Sequence, residues 1–138
     1  MSLYVLDTDT LTLWLRGHTR VCERVAEQDS NELCVSIVTI EEMLRGWYTQ
    51  IRRAKTDEQL ERAYAALQQA VQVASRLPIL AFDHAVIQRF AELRKRKLRI
   101  GTNDLKIAAT AFENQAVLVT RNRSDFRRVA DLMFEDWS

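Results

Sequence analysis

The chain has 138 residues, 47% of them hydrophobic, so it can bury one substantial core but is too short for two comfortable domains. We therefore expect a single domain over residues 1–138. Its 20 basic and 19 acidic side chains give a net charge of +1, which excludes a uniformly cationic protein that coats nucleic acid. Any site for a polyanion must be local.

The first part of the chain alternates strand and helix patterns. The apolar run at residues 3–6, closed by Asp7, is typical of a buried parallel strand. In chain order, the pattern then predicts helices over 8–16 and 20–28, a strand over 33–38, and a helix that Thr39 caps and that carries Glu42.

The rest of the chain continues the alternation. Apolar residues recur every three or four positions over 57–76, which predicts one arm of an antiparallel helical hairpin. The next elements are a strand over 79–82, a helix opened by Asp83, a helix begun by Asn103 or Asp104, a strand over 116–119, and an edge strand at Met133 and Phe134. Strands alternating with helices imply right-handed crossovers and a mainly parallel sheet, which is the α/β class.

The amino terminus and the cysteines indicate a soluble, cytoplasmic protein. The start MSLYVLDTDT has no basic segment, and its apolar run is broken at Asp7, so it does not resemble a signal peptide. Cys22 and Cys34 lack the spacing of a metal knuckle or a redox pair, so we expect reduced, structural thiols.

Three carboxylates, Asp7, Glu42 and Asp104, each lie where a predicted strand gives way to a helix. The carboxyl ends of parallel strands share one edge of the sheet, so these side chains can gather in one crevice. A cluster of acids repels itself unless protons or cations neutralise it, and carboxylate oxygens suit Mg²⁺ or Mn²⁺. Each Asp could instead simply cap a helix, and Glu42 could lie on a solvated face.

Five segments in order resemble successive motifs of PIN-domain proteins, and the VapC-type toxins are the most similar subgroup. They are VLDTDTLTLWLRG, VSIVTIEEMLRG, GTNDLKIAATA, LVTRNRSDFRRV and LMFEDW. The resemblance implies a three-layer α/β/α sandwich with a mainly parallel central sheet and a protruding helical hairpin. It also implies an endoribonuclease that depends on Mg²⁺ or Mn²⁺, forms a homodimer, and is held inactive by a small VapB-type antitoxin.

By position, the resemblance implies that Asp7, Glu42 and Asp104 are the catalytic, metal-binding acids, with Glu41 facing outward. The fourth ligand of the family falls at Asn122, where Asp would be a stronger ligand, and Asp125 is its rival. The side chains expected to support these ligands are Thr8, which would hold Asp7, together with Asp9 and Thr120.

Basic side chains near the expected site predict contacts with RNA phosphates. Arg121 and Arg123 adjoin the fourth ligand position and are the residues we expect to bind RNA. Five of the six residues at 94–99 are basic, and this run could equally be a solvated helix end. Trp14, Tyr48 and the apolar face of the hairpin could stack on RNA bases, but aromatic residues at helical spacing are more typical of a core or a protein interface, and an interface is what we expect.

Two other functions remain open at this point. The string VLDTDT also resembles the Asp-x-Asp-x-Thr loop of haloacid-dehalogenase-like phosphatases, in which Asp7 would attack phosphorus and Asp9 would handle a proton. A noncatalytic PIN-like adaptor for RNA or protein would keep the same acids only as helix caps.

Overall fold

A five-stranded parallel sheet forms the centre of the computed structural model, which describes residues 2–138. The strand order is β3-β2-β1-β4-β5, so the first strand of the chain is the middle one. The strands are β1 (Tyr4–Leu6), β2 (Leu33–Ser36), β3 (Ile79–Leu80), β4 (Val117–Val119) and β5 (Phe134–Glu135). All four pairings are parallel, with Leu6 in register with Val35 on one side and Val119 on the other.

Helices cover both faces of this sheet. They are α1 (Thr8–Leu15), α2 (Thr19–Ala26), α3 (Ile37–Arg53), α4 (Asp57–Ala74), α5 (His84–Lys95), α6 (Thr102–Glu113) and the short α7 (Arg123–Phe126). The long helices α3 and α4 pack against each other as the expected hairpin. The predicted α/β/α architecture with a parallel sheet is thus confirmed.

Alternation along the central strands divides the core between the two faces. Val5 and Leu118 are fully buried in a cluster with side chains of α5 and α6. Leu6 and Val119, their neighbours along the chain, are fully buried in a second cluster with side chains of α1, α2 and α3. Because successive strand residues point to opposite faces, each short strand contributes to both clusters.

Large side chains hold the outer elements of the fold in place at two further positions. Trp137, which follows β5, is only 2% exposed, and its ring lies 5.1 Å from that of Tyr4. Between α5 and α6, Arg89 Nε is 2.7 Å from Glu113 Oε1, and the same guanidinium lies over the ring of Phe112. These contacts pack the outer elements against the core.

The prediction for the start of α3 was wrong by three residues. Strand β2 ends at Ser36, whose hydroxyl accepts a hydrogen bond from the amide of Val38 at 3.0 Å and so caps the helix. Thr39 therefore lies inside the first turn, where it is fully buried. The apolar residues after Ser36 read as a continued strand because a buried helix start and a buried strand look alike over so few positions.

Other boundaries differ less. Helix α6 begins at Thr102 with Gly101 at its cap position, not at Asn103 or Asp104, and the Asn103 amide donates to Glu42. The cap at Asp83 is confirmed, since its carboxylate accepts from the amide of Val86 at 3.1 Å. The edge strand is confirmed but shifted to Phe134–Glu135.

Both cysteines are free thiols, as expected. Burial raises the pKa of the Cys34 thiol to about 12, so it stays protonated at neutral pH. Across the described part of the chain, none of the helices combines the length and the apolar character that crossing a membrane requires.

Candidate active site

Asp7 lies directly after the middle strand and serves as the cap of α1. Its carboxylate accepts a hydrogen bond from the amide of Thr10 at 2.9 Å, while its own amide donates to the carbonyl of Val119 in β4 at 3.0 Å. The side chain is nearly buried, at 6% exposure. Burial raises the pKa of Asp7, and hydrogen bonds from Thr120 and Thr10 oppose that rise. Asp7 is therefore both a helix cap and a carboxylate at the carboxyl edge of the sheet.

Glu42 points from α3 towards the same edge and is held by two donors. The hydroxyl of Thr8 makes a short hydrogen bond to Oε1, and the amide of Asn103 lies 3.4 Å from Oε2. Thr8 thus contacts Glu42 and not Asp7, which differs from the role we expected for it. The neighbouring Glu41 is exposed and pairs with Arg45 at 3.0 Å, so the two adjacent glutamates have separate environments.

Asp104 lies in the first turn of α6 and experiences the charge of the other acids. Burial, followed by repulsion from Glu42, Asp7, Asp125 and Asp9, raises the pKa of Asp104 from 3.8 to about 6. The contacts agree: Thr8 and Asn103, the neighbours of Asp7 and Asp104, both hydrogen-bond to Glu42, so α1, α3 and α6 meet at one edge of the sheet. The convergence expected from their positions after the strands is found in the structure.

The two rivals for the fourth position contact each other. Asn122 donates from Nδ2 to Asp125 Oδ2 at 2.7 Å, and its own Oδ1 accepts from the hydroxyl of Ser124 at 3.4 Å. Asp125 also pairs with Arg128 at 3.2 Å. Of the two, Asp125 supplies the negative charge that Asp104 experiences, while the amide of Asn122 orients Asp125.

The remaining supporting positions have unequal roles. The hydroxyl of Thr120 hydrogen-bonds to Asp7 and accepts from the amide of Asn122 at 3.0 Å, so it joins two parts of the site. Asp9 is exposed, and its interaction with the site is repulsion that raises the pKa of Asp7 and Asp104.

The donors suit a hard divalent cation in kind and in charge. All the acids offer carboxylate oxygens, and their mutual repulsion is relieved when a cation is placed among them. Among residues 2–138, no three His, Cys, Asp or Glu side chains are already arranged so that they could hold one ion together. Coordination by three of these carboxylates therefore requires their side chains to move closer.

The two arginines expected to bind RNA differ in whether they already pair with a carboxylate. Arg121 is exposed, and no carboxylate in the described residues pairs with it. Arg123 Nε lies 3.3 Å from Asp136 Oδ2, so this guanidinium is partly engaged with the terminal segment.

Three residues of the site were missed in the sequence. Asn103 holds Glu42, Thr10 holds Asp7 through its amide, and Arg128 pairs with Asp125. The spacing of Asp7 and Thr10 is that of a helix cap and its third residue, and could have indicated this contact. Asn103 leaves no such signal, because Glu42 is 61 residues away in the chain. Arg128 is three residues from Asp125, but the short helix α7 that makes this spacing meaningful was not predicted.

Comparison with known proteins gives the same family. A profile of the PIN domain matches residues 4–132. The chain is 30% identical to Ribonuclease VapC1 of Haemophilus influenzae, over 99% of this chain and 98% of that protein. It is 28% identical to the tRNA(fMet)-specific endonuclease VapC of Shigella flexneri, over the full length of both.

Solved structures agree. The VapBC-1 structure from nontypeable Haemophilus influenzae superposes with a TM-score of 0.77 at 25% identity, and 98% of each chain is covered. The DNA-bound VapBC from Salmonella typhimurium gives a TM-score of 0.79 at 26% identity over 100% of both chains. The phosphatase alternative also fails locally, because its motif requires Thr where this chain has the fully buried Leu11. The chain therefore belongs to the PIN-domain family and, within it, to the VapC-type ribonuclease toxins.

Proposed function

We propose that this chain is an endoribonuclease that requires Mg²⁺ or Mn²⁺, hydrolyses RNA phosphodiester bonds, and acts as the toxin of a toxin-antitoxin pair. The observation that carries the proposal is the pair of contacts that bring the acids together, since Thr8 and Asn103, the neighbours of Asp7 and Asp104, both hydrogen-bond to Glu42. Burial and repulsion from Glu42 and Asp7 raise the pKa of Asp104 accordingly. The ribonuclease names of relatives matched over nearly the whole chain support RNA as the substrate.

In this proposal Asp7, Glu42 and Asp104 hold the cation, with Asp125 or Asn122 completing the set. A bound divalent ion would supply acidification of a water molecule and neutralisation of charge on the phosphate. The chain itself supplies orientation: Thr8 and Asn103 fix the carboxylate of Glu42 by hydrogen bonds to its two oxygens.

The proposal includes a VapB-type antitoxin, a homodimer and a cytoplasmic location. Structures with similar chains are described as VapBC complexes, which supports the antitoxin. The hairpin offers surface for protein contacts, because Ile37, Tyr48, Tyr64 and Val71 are 40 to 55% exposed. Large apolar side chains exposed together are typical of protein interfaces.

Cleavage assays on defined RNA test the catalytic proposal. Single-stranded and stem-loop RNA are incubated with Mg²⁺, Mn²⁺ or EDTA, using the native chain and the variants Asp7→Ala, Glu42→Ala and Asp104→Ala. Glu41→Ala is the matched control, since it removes a carboxylate from the same helix but outside the site. We expect cleavage by the native chain and by the control, and loss of cleavage with EDTA or with any of the three variants.

The other outcomes identify other functions. Cleavage that survives EDTA would refute the metal requirement, and cleavage that survives all three substitutions would refute the site. Binding of RNA without turnover would indicate an adaptor. Hydrolysis of small phosphate esters that depends on Asp7 and Asp9, with RNA intact, would indicate a phosphatase.

A further inference from the structure

The connection between α5 and α6 holds two basic residues in an unusual backbone conformation. Lys97 and Arg99 have φ angles of 52° and 57°, in the left-handed region. Residues other than Gly, Asn and Asp enter this region at an energetic cost, because Cβ approaches the backbone carbonyl. Strained positions of this kind cluster at functional sites.

The side chains at these two positions have no ionic partner among residues 2–138. Arg96 pairs with Glu92 at 3.0 Å, and Arg94 lies over the ring of Phe90, so these neighbours are engaged on their own helix. For Lys97 and Arg99, no carboxylate of residues 2–138 is within salt-bridge distance, and both side chains are exposed. Neither charge is therefore neutralised by a carboxylate of the described residues.

This connection is tied to the acidic site through a single guanidinium. Arg128 Nη1 donates to the carbonyl of Arg99 at 3.1 Å and pairs with Asp125 at 3.2 Å. Asp125 in turn raises the pKa of Asp104. The backbone of the connection that carries the two cations is thus fixed next to Asp125, on the α6 side of the acidic cluster.

We propose that Lys97 and Arg99 form a phosphate clamp that holds the RNA backbone beside the acidic site. The inference rests on the proposed ribonuclease function and names residues that would bind its substrate. A cluster of acids repels a polyanion, so a nuclease of this kind needs cations at the edge of the cluster to keep the strand in place. The left-handed backbone of this short connection fixes the direction in which each side chain leaves the main chain. A role in binding explains why Lys and Arg stand there although Gly would adopt this conformation at a lower energetic cost.

Salt dependence of RNA binding tests the clamp. A fluorescent single-stranded RNA is titrated by anisotropy, in EDTA and at several salt concentrations, against Asp104→Asn chains that also carry Lys97→Gly, Arg99→Gly or both. Gly relaxes the backbone at these positions, so the variants are expected to fold. Each substitution should weaken binding and reduce the slope of log affinity against log salt by about 0.7, the value for one phosphate contact on a single strand. Lys97→Arg should retain the native slope.

Two matched controls separate charge at this place from other effects. Gln115→Gly removes a side chain at another left-handed position, with φ of 53°, but removes no cation. Arg76→Gln removes an exposed cation that precedes β3, at the opposite edge of the sheet. Both should leave the affinity and the slope unchanged.

Several results would overturn the clamp. An unchanged slope in the Lys97 and Arg99 variants, while the native chain still cleaves RNA, refutes the clamp and leaves the nuclease intact. Equal losses with Arg76→Gln would show a diffuse charge effect. Weakened binding of duplex DNA or of an acidic protein, with RNA affinity unchanged, assigns the surface to another partner. Absence of RNA binding by the parent Asp104→Asn chain, with no cleavage by the native chain, refutes both proposals together.

Discussion

Replacing Asp104 with Asn should stabilise the metal-free protein at neutral pH. The folded state raises the pKa of this carboxyl from 3.8 to about 6, so it disfavours the charged form. Above pH 6 the native chain must keep this charge near Glu42 and Asp7, whereas the amide of Asn carries none. The substitution therefore removes the cost of burying this charge and the repulsion from the neighbouring acids.

The expected gain in unfolding free energy follows from the pKa shift of Asp104 and from the screening of its charge by solvent. Raising the pKa from 3.8 to about 6 corresponds to at most ~3 kcal/mol of unfolding free energy. Asp104 is only partly buried, so solvent screening reduces this to about 1.5 kcal/mol. The carboxylate also lies in the first turn of α6, where losing a negative charge costs about 0.5 kcal/mol against the helix dipole. The net expectation is about 1 kcal/mol, or a melting temperature about 3 °C higher.

Thermal unfolding in EDTA across a range of pH measures this effect. Because the folded-state pKa is the higher one, the native chain loses stability as pH rises from about 3.8 to about 6. The difference between the two chains should vanish near pH 4 and reach its maximum above pH 6. Asp57→Asn is the matched control, since Asp57 is an exposed acid in the first turn of α4 and should show only the small dipole loss.

Two results would refute the reasoning. A lower melting temperature for Asp104→Asn at pH 7 would mean that the side chain acts as a helix-terminal charge and experiences little repulsion. A gain that is the same at pH 4 and pH 7 would show that ionisation is not its cause. Added Mn²⁺ should stabilise the native chain more than the variant, because the variant has lost one of the proposed ligands.

Three further substitutions test other contacts. Thr8→Val removes the hydroxyl that holds Glu42 and should slow RNA cleavage roughly 10- to 100-fold with little change in melting temperature, and Thr8→Ser should restore the rate; equal rates would refute the positioning role. Trp137→Ala empties a buried position and should cost about 3 to 5 kcal/mol in urea unfolding; a cost under 1 kcal/mol would show that the terminal segment is dispensable for packing. Arg89→Met breaks the contact with Glu113 and should cost about 1 to 2 kcal/mol in urea unfolding, because both side chains are mostly buried; a cost below about 0.5 kcal/mol would show that the pair is screened as surface pairs are.

The sequence predicted the fold because its patterns are local. A short apolar run ending in a polar residue predicted β1, and regular apolar spacing predicted α4. The start of α3 was misplaced because Ile37 and Val38 prolong the apolar run of β2 into the helix. There the capping hydroxyl of Ser36 decides the boundary, and a single hydroxyl among apolar residues gives little signal.

The positions of the acids could be predicted, but the contacts that hold them could not. Asp7 and Asp104 occupy places that follow from the sheet and its crossovers. Which hydroxyl holds Glu42 depends on rotamers of side chains more than thirty residues apart, and Thr8 was assigned to the wrong acid for this reason. The pairing of Asn122 with Asp125 likewise depends on the turn between them.

The dependence of Asp7 on β4 has a consequence for the chain during its synthesis. The hydroxyl of Thr10 donates to the carbonyl of Val119 across a separation of 109 residues, and the amide of Asp7 donates to the same carbonyl. A nascent polypeptide that already carries Asp7 and Glu42 still lacks both this anchor and Asp104. The acidic centre is therefore fully anchored only once β4 has been synthesised and has paired with β1.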